Sequence, residues 1–342
     1  MKSILTKLIF IFSLQSIASQ EVHLYSIAFY NVENLFDIND NPNTFDDDYT
    51  PTGRNQWTLA TFNQKIDQLS SVISVIGLEE TNNAPLLLGL AEVENRQVLE
   101  ALIAHPKLRP YGYGIVHFDS PDFRGIDVAL LYQKERFNLS EAKTYRLELI
   151  DSKTQFKKTT RDQLVVSGYL NEDLLHVLVN HWPSRRGGER KSQSSRMAAA
   201  YLQRRIIDSL QGLDTDAKII SMGDYNDDPT NKSLQLLVKQ DPKSYLKNFK
   251  PLFNPMEKLY KMGLGSLAHN DRWHLFDQLL ISKVFLNSEE LSLIATKLFN
   301  PPFLRTPDGN YQGYPFRVRR KGMLLDGFSD HFPVYSIFAK PL

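Results

Sequence analysis

Residues 86–95 read LLLGLAEVEN, an almost unbroken apolar run that ends at a carboxylate. A run of this length without alternating polar positions is typical of a strand that is buried on both faces. An amphipathic helix is predicted directly after it, over about residues 95–104. A strand covered on both sides must pack against helices or another sheet, so this stretch predicts a layered α/β domain with Glu92 at the end of a buried strand.

The rest of the chain repeats these kinds of element. Amphipathic helices are predicted over residues 59–76 and about 192–210, and a short helix is predicted to begin at Lys232. A long loop is predicted to follow this helix and to end at Asn270. Strands are predicted over residues 22–30, 112–118, 126–132, 137–149, 164–170, 174–179, 217–222, 273–282, 291–298 and 334–339. Short connections between the middle strands favour antiparallel pairs, and we predict mixed sheets with helices outside.

Size and charge limit the classes of protein. The chain has 342 residues and is 42% hydrophobic, which suits one large domain, predicted over residues 20–342. A formal net charge of +1 excludes binding of nucleic acid through a strong overall positive field. Any polyanion would therefore be bound locally. Two basic clusters are available: Arg185, Arg186, Arg190 and Lys191, and Arg317, Arg319, Arg320 and Lys321.

The N-terminus has the pattern of a secretory signal peptide, predicted over residues 1–19. Lys2 and Lys7 precede the apolar stretch 8–14, and small residues suited to cleavage follow that stretch. The alternative is a membrane anchor, but this stretch is too short for a hydrocarbon core of ~30 Å. We expect a secreted or periplasmic protein without stable membrane insertion. The absence of cysteine excludes disulfides, thiolate metal sites and a cysteine nucleophile.

Polar residues with catalytic or metal-binding chemistry come where predicted strands start or stop. They are found in Leu90-Ala91-Glu92, Ile126-Asp127, Val179-Asn180-His181, Met222-Gly223-Asp224-Tyr225-Asn226, Phe276-Asp277 and Ser329-Asp330-His331. Strand ends are held by a rigid scaffold, so side chains placed there can be positioned accurately. Oxygen ligands together with two imidazoles indicate a metal-assisted hydrolase.

Together these segments resemble the endonuclease/exonuclease/phosphatase superfamily over nearly all of the chain after the signal peptide. The resemblance rests on motifs in the family's order: Phe29-Tyr30-Asn31-Val32-Glu33-Asn34, Leu90-Ala91-Glu92-Val93-Glu94-Asn95, Arg124-Gly125-Ile126-Asp127-Val128-Ala129, Asn180-His181-Trp182-Pro183-Ser184, Gly223-Asp224-Tyr225-Asn226, Phe276-Asp277-Gln278 and Ser329-Asp330-His331. It implies a four-layer α/β sandwich, in which two mixed β-sheets pack face to face with helices outside.

The resemblance also implies a metal site formed by Glu92, Asn31 and Asp330. Hard oxygen ligands suit Mg²⁺, with Mn²⁺ as a substitute, better than Zn²⁺. Glu94 is an alternative to Glu92, since it lies two residues further on. The family more often has Gln where this chain has Ala91, so the surroundings of Glu92 differ.

The implied catalytic residues are Asp224 and Asn226, for positioning the attacking water or the phosphate, and two histidines with carboxylate partners. Asp127 is expected to pair with His181, and Asp277 with His331. A carboxylate partner orients the ring and raises its pKa, which favours donation to a phosphoryl oxygen. Candidate phosphate contacts are Arg124, Arg161, Arg185 and Arg186.

These residues predict a metal-dependent phosphodiesterase, and an endonuclease acting on DNA or RNA is our first hypothesis. A phosphomonoesterase or a sphingomyelinase-like lipid phosphodiesterase remains an alternative, because fold and metal core do not determine the substrate. A binding module without activity is a second alternative. We expect a monomer with nucleic acid as its substrate.

Overall fold

The computed structural model describes residues 22–150, 156–240, 249–287, 289–320 and 323–341. The predicted signal peptide lies outside these residues. The principal strands are β1 (Val22–Leu35), β2 (Leu87–Val93), β3 (Tyr113–His117), β4 (Asp127–Gln133), β5 (Phe137–Tyr145), β6 (Gln163–Leu170), β7 (Asp173–His181), β8 (Lys218–Asp224), β9 (Asp277–Ile281), β10 (Ser292–Leu298) and β11 (Val334–Pro341). The α-helices are α1 (Leu59–Ile73), α2 (Leu78–Thr81), α3 (Arg96–Ala104), α4 (Glu189–Leu213), α5 (Lys232–Val238) and α6 (Met256–Lys261).

Two mixed sheets form the centre of the protein. The first has six strands in the order β10-β11-β1-β2-β4-β3, and the second has five in the order β9-β8-β7-β6-β5. Each sheet contains a parallel pair, β1 with β2 and β7 with β8, flanked by antiparallel neighbours. The carboxyl ends of the parallel strands and the starts of their antiparallel neighbours therefore lie at the same edge of each sheet.

Three apolar clusters separate four layers. Ile27 and Phe29 from the first sheet and Val177 and Met222 from the second belong to the cluster between the sheets. The opposite face of the first sheet packs against α1 and α3, and the opposite face of the second packs against α4 and α5. The predicted fold class, a four-layer α/β sandwich, is confirmed.

The stretch 86–95 folds as its pattern predicts. Strand β2 is buried along its length, and the Asn95 side chain accepts the Val98 N–H at 3.0 Å, which caps the start of α3. The chain therefore changes from strand to helix within a few residues of Glu92. This short connection keeps Glu92 on the rigid part of the fold.

Several sequence predictions differ from the structure. The predicted strand 273–282 is two strands, Arg272–His274 and β9, and the strand predicted over residues 137–149 ends at Tyr145. Strand β1 continues past the predicted end at residue 30 because Val32 and Leu35 are buried, although the polar residues between them hide the pattern. The long loop predicted to end at Asn270 contains α6 and the strand Leu267–His269, which pairs with Arg272–His274. Both elements are too short to give a periodic signal.

Within the described residues, no helix combines the length and apolar character that crossing a bilayer requires.

Candidate active site

The strand ends bring the predicted site residues to one edge of the two sheets. In the second sheet, Asp224 on β8 lies opposite both His181 on β7 and Asp277 on β9. In the first sheet, Asn31 on β1 lies opposite Ala91, the residue before Glu92. Backbone pairing thus determines the placement of these side chains before any side-chain contact is made.

The first sheet is irregular at this edge. The β1–β2 register shifts between Asn31 and Leu35, and Glu33, Asn34 and Glu92 all have positive φ angles, of 51°, 55° and 64°. The Asn34 N–H donates to Glu92 Oε2 at 3.1 Å across the bulge. Non-glycine residues in this region cost roughly 1–3 kcal/mol each and concentrate at functional sites. The bulge turns Glu92 away from the regular path of its strand.

Asp224 connects the two sheets. Asn31 Nδ2 donates to its Oδ2 at 3.1 Å, and the Asn226 N–H donates to its Oδ1 at 2.9 Å. His181 Nε2 lies 3.6 Å from the same Oδ2. Burial, reinforced by the Asp277 carboxylate, raises the pKa of Asp224 to about 7. This carboxyl group can therefore exchange a proton near neutral pH.

His331 and Asp277 form the predicted pair. His331 Nδ1 lies 2.6 Å from Asp277 Oδ2, and Asp277 is fully buried. Burial acts to lower the pKa of His331, but Asp277, Asp330 and Asp224 together raise that pKa well above its ordinary value. The ring is therefore cationic at neutral pH. Ligand atoms of His331, Asp277 and Asp224 lie within 4.8 Å of one another, close enough to act on one group.

The other predicted pair is wrong. Asp127 Oδ2 lies 3.1 Å from His117 Nε2, and its Oδ1 accepts the Ser120 N–H, so Asp127 does not contact His181. The reason is register: β3 and β4 are antiparallel neighbours, and His117 lies opposite Ala129, two residues from Asp127. The contacts of Asp127 are therefore made to β3 and to the loop between β3 and β4.

His181 has a different environment. Its Nδ1 atom is buried without a hydrogen-bond partner among the described residues, and its Nε2 lies 3.9 Å from Glu92 Oε1. Burial, followed by the charges of Arg161 and Arg124, lowers the pKa of His181 well below its usual value. His181 is thus the neutral imidazole of the site, and His331 is the charged one.

The donors at the predicted metal site fit a hard divalent cation. Glu92 and Asp330 each have an oxygen close to a site histidine, since Glu92 Oε1 is near His181 and Asp330 Oδ1 lies 3.9 Å from His331 Nε2. Asn31 Oδ1 accepts the Glu33 N–H at 3.1 Å and keeps a second lone pair. All three residues offer oxygen, the donor type that Mg²⁺ and Mn²⁺ prefer.

Glu94, the alternative carboxylate, accepts the Asp37 N–H at 2.6 Å through Oε2. Burial is the main cause that raises its pKa, to about 8, and the neighbouring Asp37 and Asp46 add to the effect. Only Glu92 of the two contributes an oxygen close to His181, and this observation favours Glu92.

The sequence analysis missed a partly buried charge network beside Asp330. Arg317 donates to Glu33 Oε1 through Nε and Nη2, at 3.0 and 2.8 Å, and to Asp330 Oδ2 at 3.0 Å. Lys65 Nζ donates to the Phe328 carbonyl at 2.6 Å and is buried. Burial lowers the pKa of Lys65 to about 8. The signal for Lys65 was its position on the apolar face of α1, where a charged residue requires a partner.

Two of the four candidate arginines, Arg185 and Arg161, form hydrogen bonds and ion pairs inside the protein. Arg185 is mostly buried, donates to the Asn226 carbonyl at 2.9 Å and forms ion pairs with Asp227 and Asp228, so it supports the turn after β8. Arg161 is also buried and donates to Asp122 and to the Trp182 carbonyl. That carbonyl also accepts from Asn226 Nδ2, at 3.0 Å. Both guanidinium groups already have protein partners. Contact of Arg185 or Arg161 with a phosphate therefore stays a prediction.

Two clefts adjoin the site. The larger, of about 480 Å³, is lined by Glu33, Asp330 and Arg317 and by the aromatic residues Tyr49, Trp57, Tyr311 and Tyr314. The other, of about 240 Å³, is lined by basic residues that include Lys158, Lys191, Arg124, Arg161 and Arg186. A substrate longer than one phosphate group could extend into either cleft.

Comparison with known proteins identifies the family. The model of the Endonuclease/Exonuclease/phosphatase family matches residues 26–340. Comparison with curated protein sequences gave no match. Among solved structures, an endonuclease/exonuclease/phosphatase family protein from Bacteroides thetaiotaomicron is 15% identical, with a TM-score of 0.54 over 94% of this chain and 100% of that one.

Two further structures have the same fold. One from Bacteroides vulgatus is 12% identical, with a TM-score of 0.56 over 92% of this chain and 98% of its own. The human Nocturnin catalytic domain with bound sulfate anion is 14% identical, with a TM-score of 0.53 over 93% of this chain and 97% of that one. At such identities the structures show a shared fold. With the family model spanning almost the whole chain, this protein belongs to the endonuclease/exonuclease/phosphatase family.

Proposed function

We propose that this protein is a divalent-metal-dependent phosphodiesterase that hydrolyses nucleic acid outside the cytoplasm. The observation that carries the proposal is the meeting of Asp224, Asn31, His181 and the His331–Asp277 pair at one edge of the sandwich. Acidic, amide and imidazole groups in one place can activate water and stabilise a phosphoryl group.

In the proposed reaction, Asp224 orients the attacking water and accepts its proton, while Asn31 and the Asn226 N–H hold the carboxylate in position. His331 donates from Nε2 to a phosphoryl or leaving oxygen, and Asp277 fixes its orientation through Nδ1. His181 is neutral and can donate one hydrogen bond without adding charge. A divalent cation held by Glu92, Asp330 and Asn31, with Mg²⁺ as the natural candidate, would neutralise charge that develops on the phosphoryl oxygens.

Nucleic acid is the preferred substrate class because of the two clefts. Basic side chains on one side would contact the backbone, and aromatic side chains on the other would stack with bases. The N-terminal pattern supports export, since residues 1–19 combine a basic start with a short apolar stretch. We further propose that the enzyme acts as a monomer, which light scattering coupled to size-exclusion chromatography would test.

The test is purified protein with Mg²⁺ against plasmid DNA, RNA, sphingomyelin and an inositol phosphate, with His331→Ala as the matched inactive control. Nicking of DNA or cleavage of RNA that is lost in the variant supports the proposal. Turnover of the lipid or the inositol phosphate alone would move the protein to the alternative substrate class. Binding of nucleic acid without turnover of any substrate would support a binding module.

A further inference from the structure

The larger of the two clefts beside the site is lined by aromatic rings as well as by charged groups. Tyr49, Tyr311 and Tyr314 line it together with Asp330, one of the candidate metal ligands. Its volume of about 480 Å³ falls in the range of pockets that enclose one small organic molecule, ~300–1,000 Å³. The cleft can therefore hold a group of about the size of one nucleotide next to the catalytic residues.

The rings form a continuous series of contacts that leads to the catalytic edge. The ring centroids of Tyr311 and Tyr314 are 5.7 Å apart. The Trp273 centroid lies 5.6 Å from that of Tyr314 and 6.1 Å from that of Phe332. Phe332 follows His331 in the chain, whereas Tyr311, at the other end of the series, is 38% exposed. A base that stacks on the exposed rings would therefore extend a row of rings that starts beside His331.

A β-hairpin, residues 267–274, holds this series of rings in place. The Tyr314 hydroxyl donates to Asp271 Oδ1 at 2.5 Å. Asp271 has a φ angle of 58° and lies in the tight turn of the hairpin. At the base of the hairpin, the Ser266 carbonyl accepts the Phe332 N–H at 2.7 Å. The rings are thus positioned before a ligand arrives, which lowers the entropy cost of binding.

The charges of the cleft are compatible with a phosphate. Its carboxylates, Glu33 and Asp330, would repel one, but both are paired with a cation. Arg317 Nη2 donates to Glu33 Oε1 at 2.8 Å and to Asp330 Oδ2 at 3.0 Å. Arg54 also lines the cleft and is exposed. The cleft therefore combines aromatic rings with basic side chains, the two kinds of group that bind a single strand of nucleic acid.

We propose that this cleft binds one unpaired nucleotide beside the scissile phosphate, and that the enzyme therefore prefers single-stranded nucleic acid to duplex. This inference rests on the proposed function and names its substrate class. In a double helix each base is stacked on its neighbours, so its face is not available to a side chain. In a single strand the base can leave the stack at lower cost and lie on an aromatic ring. Because every base has a face, the rings would select for an unpaired strand and not for a sequence.

The test compares one labelled oligonucleotide, made as DNA and as RNA, as a single strand and in a blunt duplex. Bis(4-nitrophenyl) phosphate, a small diester without a base, reports the chemistry alone. The double variant Tyr311→Ala/Tyr314→Ala removes two rings of the cleft, and Tyr314→Phe removes only the bond to Asp271. Tyr201→Ala, 52% exposed on α4, is the matched control. Tyr311→Ala replaces the double variant if that variant does not fold. Binding is measured by fluorescence anisotropy with Mg²⁺ in a His331→Ala background, in which turnover is expected to be lost.

The wild type should cleave the single strand with a kcat/KM at least about tenfold above that for the duplex, and the His331→Ala protein should bind it at least about tenfold more tightly. The double variant should lose at least about tenfold more on the single strand than on the small diester, mainly through KM. Tyr314→Phe and Tyr201→Ala should keep the preference for single strands. A folded double variant with the wild-type preference would overturn the proposal.

The two proposals fail in different ways. If the wild type hydrolyses the small diester but binds and cleaves single strand and duplex equally, the single-strand subsite is wrong and the phosphodiesterase assignment stands. If no diester is cleaved, the proposed function is wrong, and the anisotropy data decide on the subsite. A single-strand preference that disappears in the double variant would still support the subsite, and equal binding of both forms would overturn it.

Discussion

His331 Nδ1 lies 2.6 Å from Asp277 Oδ2, although 54 residues separate the two in the chain. The contact joins the start of β9 in one sheet to the turn before β11 in the other. It therefore exists only when both sheets are packed together. The proposed chemistry depends more on this pair than on any other contact between the two sheets.

Replacing Asp277 with Asn should lower kcat by about 100-fold or more with a smaller change in KM, because the carboxylate orients and charges the His331 ring in the transition state. In the His331→Ala background the same change should cost little. Steady-state kinetics of the two single variants and the double variant checks this. Equal losses in both backgrounds would show that the two residues act independently.

Asp127 should matter for stability through His117. Removing either side chain leaves a buried partner, since both are about 3% exposed, and a double-mutant cycle of Asp127→Asn with His117→Ala should give a coupling energy of about 1 kcal/mol or more. Urea unfolding measures it. A parallel cycle with His181→Ala should show no coupling, and coupling there would restore the pairing that the structure contradicts.

The stability contribution of Asp224 should depend on pH in protein stripped of metal with EDTA. Its folded pKa of about 7 lies above the ordinary value of 3.8, so the folded state binds the extra proton between these pH values. Stability is therefore lost as pH rises from about 4 towards 7. Asp224→Asn cannot ionise, so its free energy of unfolding should increase relative to the wild type over this range. Denaturant titrations from pH 4 to 8 test this sign, and a constant difference would contradict it.

Arg185 and Arg186 are adjacent but should behave differently. Arg186→Ala should weaken binding of long nucleic acid and reduce the dependence of log K on log salt by about one unit, with little change on a small diester. Arg185→Ala should instead destabilise the fold by about 3 kcal/mol, because it leaves Asp227 and Asp228 with fewer partners. Salt titrations and urea unfolding separate the two effects. If Arg185→Ala folds with wild-type stability, its ion pairs do not support the turn.

Chelation should abolish turnover, and Mg²⁺ or Mn²⁺ should restore it better than Zn²⁺ because the ligands are hard oxygens. Glu92→Gln should lose at least about 100-fold in kcat. Glu94→Gln is the matched control and should remain active, since Glu94 bonds to the Asp37 backbone. Activity that survives in Glu92→Gln but not in Glu94→Gln would reverse this assignment.

The sequence by itself determined the class of fold and indicated most of the polar residues that the structure brings to the edge of the sandwich. Apolar runs of strand length and helices with one buried face leave few ways to cover their surfaces, so the layers follow from the hydrophobic pattern. The positions of Glu92, His181, Asp224 and Asp330 at strand ends were also visible, because strand ends can be located from the same pattern.

Only the tertiary structure decided which of these residues contact one another. Asp127 pairs with His117 rather than His181 because the register of two neighbouring strands places them together, and register depends on contacts across the whole sheet. The Glu33–Arg317–Asp330 network joins residues almost 300 positions apart, and the bulge that turns Glu92 has no local sequence signature. Short-range patterns specify what each element buries, whereas long-range packing specifies which polar side chains meet.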